Sequence, residues 1–283
     1  MFELMDTTND RVTIQVIGLG EKGQLLCNYI EKKRLEGVQY HTEIKQYSNA
    51  NTSLNLTLAI EAEREFGNPS IRASELNFYL VSENDLPDKI DELQQYVDSS
   101  CLNCLVIINH KSLMETGSEK VKNFIKQVDF FLLLPVVFSQ DNDASSIINP
   151  NKKAYWFVQC LSETINRPGL VCIDFADVYV VMSKIGLVEM RSFSARGKNR
   201  AINAVKHIVS EPLFNYILSH TRGYFINLTG GIDMTLNELE EVSNSFKVIT
   251  GDNVMSITTS VINQNMFGEV RVTVIAAGVT EII

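Results

Sequence analysis

The sequence lacks an excess of positive charge and lacks a long hydrophobic run. Lys and Arg total 25 against 34 Asp and Glu, a formal net charge of −9. Nucleic acid and anionic membrane both recruit proteins through positive charge, so neither is an expected partner. The longest apolar stretch, Phe130 to Phe138, is nine residues and contains Pro135. A membrane-spanning helix needs about twenty apolar residues, so no direct membrane anchor is predicted. The opening Met1-Phe2-Glu3-Leu4-Met5-Asp6 has neither the basic nor the apolar segment of a secretory signal. A cytoplasmic location is expected. The four histidines, His41, His110, His207 and His220, are scattered without metal-ligand spacing, and no metal site is predicted. Five cysteines, an odd number lying mostly in apolar runs, fit reduced thiols rather than a disulfide frame. Cys101-x-x-Cys104 is the one suggestive pair. It leads into Leu105-Val106-Ile107-Ile108 with no second CxxC, so core packing is favoured over a metal or redox role.

What remains is globular composition, with 45% hydrophobic and 21% charged residues. That excludes a disordered chain, a collagen-like chain and a coiled-coil rod. No internal repeat or low-complexity segment is visible. The 283 residues suffice for one large domain or two ordinary ones.

Hydrophobic periodicity predicts strands at 12–17, 38–44, 78–81, 104–108 and 130–134. Helices are predicted between them. One carries Leu25, Leu26, Tyr29 and Ile30 on one face and ends near Gly37. One is opened by Pro87, with Ile90, Leu93 and Val97 inward. One is capped by Ser118, with Val121, Phe124, Ile125 and Val128 together. A short helical stretch is expected around 54–66. Strands apolar on both faces, alternating with helices, indicate a parallel sheet covered on both sides. A helix from about Asn151 to Asn166, carrying Trp156, is ended by Pro168-Gly169. Beyond it, helices near 175–185, 199–210 and 236–249 interleave with strands at 223–229, 254–262 and 269–277. Thr235-x-x-Glu238 is a capping box. The predicted fold class is α/β. A doubly wound parallel-sheet N-terminal domain of nucleotide-binding type occupies 1–148, a central helix 149–168 and a mixed α/β domain 169–283.

Gly18-Leu19-Gly20-Glu21-Lys22-Gly23 follows a strand and opens a helix. That is G-x-G-x-x-G in the context of a dinucleotide fold, with Glu43 near the place of a ribose-binding acid. Glycines let backbone N–H groups approach a phosphate at a positive helix end. A tight strand-to-helix turn needing small residues explains the same motif equally well.

The second half is more specific. Arg167-Pro168-Gly169-Leu170-Val171-Cys172-Ile173-Asp174-Phe175-Ala176-Asp177-Val178 resembles the synergy loop, and the helix after it, of the bacterial tubulin homologue FtsZ. Val181-Met182-Ser183-Lys184-Ile185-Gly186, Gly197-Lys198-Asn199-Arg200-Ala201, Ser210-Glu211-Pro212-Leu213, Gly251-Asp252-Asn253 and Glu269 to Ala276 follow in family order. Met1-Phe2-Glu3, Thr8-Asn9-Asp10 and Leu35-Glu36-Gly37-Val38 are similar too. The resemblance covers nearly the whole chain and is patchy between 45 and 150. It displaces the oxidoreductase reading of the glycine motif.

The resemblance implies a family of GTPases that polymerise head to tail, each nucleotide being completed by the next subunit's synergy loop. By resemblance, Asp174 and Asp177 are the two acids of that loop. Carboxylates there orient water on a neighbouring subunit's nucleotide. Asp177 also suits a helix N-terminus on electrostatic grounds alone. Cys172 stands where the family uses Asn, which removes an amide donor and acceptor.

The nucleotide loops depart from the family. Its first loop is a run of glycines; here it reads Gly20-Glu21-Lys22-Gly23, so Gly18, Gly20 and Gly23 are vestigial. Glu21 repels a polyphosphate by a few kcal/mol at ~4 Å and intermediate dielectric, and Lys22 offsets part of that. In place of the GGGTGTG signature stands Ser82-Glu83-Asn84-Asp85-Leu86-Pro87, with no glycine, new carboxylates and a proline lacking N–H. Gly67-Asn68-Pro69 is the remnant of the ribose loop, and Asn109-His110-Lys111 lacks the family's Glu and Arg. Lys152 aligns with the guanine-binding Asp and offers only donors. Each unpaired donor costs roughly 1–3 kcal/mol. The expectation is a chain without a cofactor, unable to bind or hydrolyse GTP, that associates with FtsZ through its synergy-loop face and modulates filament assembly. It would act in the cytoplasm at the division site, without the family's C-terminal linker and tether peptide. The alternatives are a divergent active GTPase using GTP and Mg²⁺ and assembling with copies of itself, or a scaffold reusing the fold.

Overall fold

The computed structural model describes residues 12–42, 75–97, 99–110, 118–135 and 149–278. Glu43, the stretch predicted as helical at 54–66, Gly67-Asn68-Pro69, Lys111 and the polar loop at 139–148 lie outside them.

In the first half, β1 (Ile14–Leu19) leads into α1 (Gly20–Glu31) and β2 (Val38–His41). Then come β3 (Leu76–Ser82), α2 (Leu86–Leu93), β4 (Leu102–His110), α3 (Glu119–Ile125) and β5 (Phe130–Pro135). The long helix α4 (Pro150–Asn166) and the short α5 (Phe175–Met182) follow. The second half holds β6 (Gly186–Arg196), α6 (Arg200–Val209), α7 (Pro212–Ser219), β7 (Gly223–Gly230), α8 (Leu236–Thr250), β8 (Met255–Ile262) and β9 (Glu269–Ala277).

The strands form one sheet of order β2-β1-β3-β4-β5-β6-β9-β7-β8. From β2 to β6 every pairing is parallel, and the β5–β6 register spans Phe130↔Gly186 to Leu132↔Val188. β9 runs antiparallel to both β6 and β7, while β7 and β8 are parallel.

Strand alternation sorts the core onto two faces. Ile14, Val16, Phe78, Leu80, Cys104 and Phe130 pack under α1 and α4. Ile17, Tyr79, Val81, Leu105 and Ile107 pack under α2 and α3. The parallel half is therefore doubly wound. In the second half α6, α7 and α8 cover one face of β7 and β9, while Phe225 and Ile275 turn to the other.

Helix α4 lies across the sheet. Along its length Lys153 pairs with Glu189 of β6, Gln159 accepts from Arg271 of β9, and Thr164 accepts from Asn227 of β7. Just past its end, the amide of Ile262 of β8 donates to the Pro168 carbonyl. These partners follow the strand order of the sheet. The helix thus hands the chain to the 167–174 loop at the β8 edge.

Several predicted details differ. Leu25 is 62% exposed; the inward stripe is Gly23, Leu26, Cys27 and Ile30. Leu25 sits about 100° from Leu26 around the axis and faces solvent. Val97 lies beyond the end of α2 and is only partly buried. Helix α5 stops at Met182 rather than near Ile185, because Lys184 adopts a left-handed φ of 53°. Cys101 and Cys104 are both buried, Cys104 within the core under α1 and α4.

Candidate functional site

Asp174 and Asp177 are brought together at the start of α5. Asp174 is the N-cap, and its Oδ1 accepts the Asp177 amide at 2.9 Å. The Asp174 amide donates in return to Asp177 Oδ2 at 3.3 Å. Both residues are exposed, so the box that orders them leaves them facing solvent. The loop before them is held from one side. Ser260 Oγ accepts the amides of Leu170 at 2.8 Å and Val171 at 3.2 Å, and Thr259 Oγ1 donates to the Val171 carbonyl at 3.1 Å. Any Cβ at Gly169 would overlap the Ser260 carbonyl oxygen, so only glycine lets the loop lie this close to β8. Leu170, Val171 and Cys172 present an exposed rim beside the acids.

The glycine motif between β1 and α1 is built differently. A Cβ at Gly18 would meet the Gly23 carbonyl at 2.5 Å, and a Cβ at Gly23 would overlap the Leu80 carbonyl. These two glycines serve the close approach of α1 to β1 and β3. Gly20 opens α1 with φ +66°, and a Cβ there would stand 2.5 Å from Asp85 Oδ2. Glu21 and Lys22 are exposed in the same first turn. Leu19, the N-cap of α1, provides no side-chain cap. Asp85 comes from the β3–α2 turn, where Ser82 Oγ donates to its Oδ2 at 2.7 Å.

Lys152 is exposed on the first turn of α4, with its ammonium 4.4 Å from the centre of the Trp156 ring. The Arg271 guanidinium stands 5.8 Å from the same ring. Among the described residues, no group of three or more His, Cys, Asp or Glu is arranged to hold a metal ion. No helix among them is long and apolar enough to cross a membrane.

Residues 186–280 match the model of the FtsZ family C-terminal domain. The cell division protein FtsZ of Wigglesworthia glossinidia brevipalpis is 28% identical, with 99% of this chain and 82% of that protein covered. FtsZ of Coxiella burnetii is 24% identical over 98% and 82%. The chain is a divergent FtsZ-like protein. Among solved structures, an empty FtsZ dimer of M. jannaschii superposes with a TM-score of 0.69 at 20% identity, covering 96% of this chain and 90% of that one. A GTPγS-bound protofilament of CetZ2 from Haloferax volcanii gives 0.60 at 12% identity, covering 95% and 94%. At these identities the superpositions establish the fold.

Within this FtsZ-like frame, sequence reasoning missed three things. Strand β6 carried a readable signal, since Val188, Met190 and Ser192 alternate inward. Helix α7 was signalled by Pro212 at its first turn. Ser260 and Thr259, which pin the acidic loop, carry no local signal. Their partners lie about ninety residues away, at Leu170 and Val171.

Proposed function

We propose that this chain is a nucleotide-free partner of FtsZ in the cell-division cytoskeleton. It docks on an FtsZ subunit through the 167–177 loop and limits filament growth. The supporting observation is the contrast between its two ends. The acidic loop is ordered by Ser260, Thr259 and its own capping box, with Asp174 and Asp177 turned outward. At the β1–α1 turn, a carboxylate stands where a glycine has left room. The residues at that end are a poor match to GTP. Asp85 and Glu21 repel phosphate, and Lys152, set against Trp156, offers no acceptor to guanine.

The same contrast favours FtsZ over a second copy as the partner. Head-to-tail stacking of identical copies would set Asp174 and Asp177 against a face that holds no nucleotide, leaving those acids nothing to act on. Docked on FtsZ, this chain offers the next subunit no ordinary nucleotide face, so it caps or shortens filaments. On this reading it acts at the division site.

The test is sedimentation of FtsZ with GTP, with and without this protein. Reduced polymer mass or length, with this chain in the pellet, is expected. Unchanged polymer would count against the proposal. Isothermal titration of this chain with GTP and Mg²⁺ should show no micromolar binding. Release of phosphate from GTP by this chain alone would instead favour a divergent, active GTPase.

A further inference from the structure

Asp85 is in the N-cap position of α2, yet its side chain makes no capping bond to that helix. An N-cap Asp ordinarily accepts an amide of its own first turn. Here the carboxylate turns away, is oriented by the Ser82 hydroxyl, and lies against Gly20 at the start of α1. Helix α1 has the opposite lack. It is twelve residues long, and Leu19 gives it no side-chain cap. One helix thus has a carboxylate it does not use, and its neighbour, with only the exposed Glu21 as an acid in its first turn, has no side-chain cap.

We infer that Asp85 is the built-in anion of the α1 N-terminus and excludes external phosphate from it. The inference rests on the reading that this end holds no nucleotide, and it names the group responsible. The N-terminal amides and the helix dipole favour a negative charge there. The Ser82 hydrogen bond and the tight turn, in which the Asp85 amide donates to both the carbonyl and Oγ of Ser82, hold the carboxylate in place. Gly20 permits the positive φ and also leaves the space that the Asp85 carboxylate fills. An incoming phosphate must displace a tethered charge or share the site with it.

The contact is tested in the full chain by a double-mutant cycle. Gly20→Ala carries a strain from its positive φ in every background, and a clash only where Asp85 is present. Gly20→Ala is therefore expected to lower the folding equilibrium constant about tenfold more in the wild type than in Asp85→Gly. Asp85→Asn keeps the shape of the side chain and removes the charge. Both Asp85 variants should melt lower than the wild type, and millimolar pyrophosphate should restore them while leaving the wild type unchanged. If Asp85→Gly does not fold, the Asp85→Asn melts decide alone. An additive cycle, or equal stabilisation of wild type and variants by pyrophosphate, overturns the inference. Either failure leaves co-sedimentation with FtsZ, the test of the proposed function, unaffected.

Discussion

Asp174 and Asp177 cap each other: each carboxylate accepts the backbone amide of the other. Both acids are therefore structural and exposed at once. Asp174→Ala should cost about 1 kcal/mol of stability, the usual value of an N-cap. Asp177→Ala removes only the reciprocal half of the box and should cost less. If capping were the sole task of Asp177, its alanine variant would bind FtsZ as the wild type does. The expected result is a small change in melting temperature with a clear loss of FtsZ association. Lost stimulation of FtsZ GTP hydrolysis with binding intact would point to a chemical role instead.

Ser260 is buried and accepts two amides of the acidic loop. Ser260→Ala leaves both without their acceptor, at a cost of about 1–3 kcal/mol. Amide hydrogen exchange at Leu170 and Val171 should speed up more than elsewhere. Association with FtsZ should weaken although no exposed residue has changed. Unaltered exchange at these two amides would show that the loop is held by something else.

Acid should destabilise the second half through three carboxylates. The Arg191 guanidinium, bonded to Glu211 at 2.6 and 2.7 Å, holds that carboxyl below its ordinary value. Burial is the largest single influence and works to raise Asp233 and Glu238, but hydrogen bonds and charge from Arg200, together with the Gly268 amide at Asp233 and Thr235 at Glu238, outweigh it and both are lowered. A carboxylate lowered in the folded state is protonated more readily in the unfolded chain. Its contribution is complete above the ordinary carboxylate range and is lost as pH falls through the folded value. Melting temperatures measured from pH 7 to pH 3 should fall mainly below about pH 4. Arg200→Met should flatten that limb. It should also cost about 3 kcal/mol at neutral pH, the low end for a buried pair because both carboxylates keep contact with water.

Thiol labelling should report on the acidic loop. Cys172 is exposed, and the other four cysteines are buried. Burial pushes the Cys160 thiol up to about 12 and is the main cause that takes Cys27 to about 11. A maleimide should modify the native protein once and the unfolded protein five times. Mass spectrometry gives the count. The singly labelled protein, with a bulky group two residues before Asp174, should fail to pellet with FtsZ.

Much of the fold was legible because its signals are local. The Ser118 cap, the Thr235–Glu238 box and the apolar strands each depend on residues a few positions apart, and all stand in the structure. The reading of Leu25 failed within the same logic. Its hydrophobicity promised burial, but its angular position on α1 faces solvent. The positions of Asp174 and Asp177 were legible by family resemblance. Their reciprocal bonding follows from Asp-x-x-Asp at a helix start.

The sequence alone determined the strand-and-helix alternation, the family resemblance and the absence of glycine from residues 82–87 after β3. Those properties reside in side-chain order along short segments. Only the tertiary structure decided where the Asp85 carboxylate goes. Asp85 reads in sequence as a repulsive charge in a loop without glycine. In the fold β3 pairs directly with β1, so the β3–α2 turn lies beside the start of α1 and the carboxylate meets Gly20. Ser260 reads as one more strand residue until α4, crossing the sheet to β8, delivers Leu170 and Val171 to its hydroxyl. Such contacts depend on chain segments far apart in sequence, and strand pairing and helix crossing supply them where local pattern cannot.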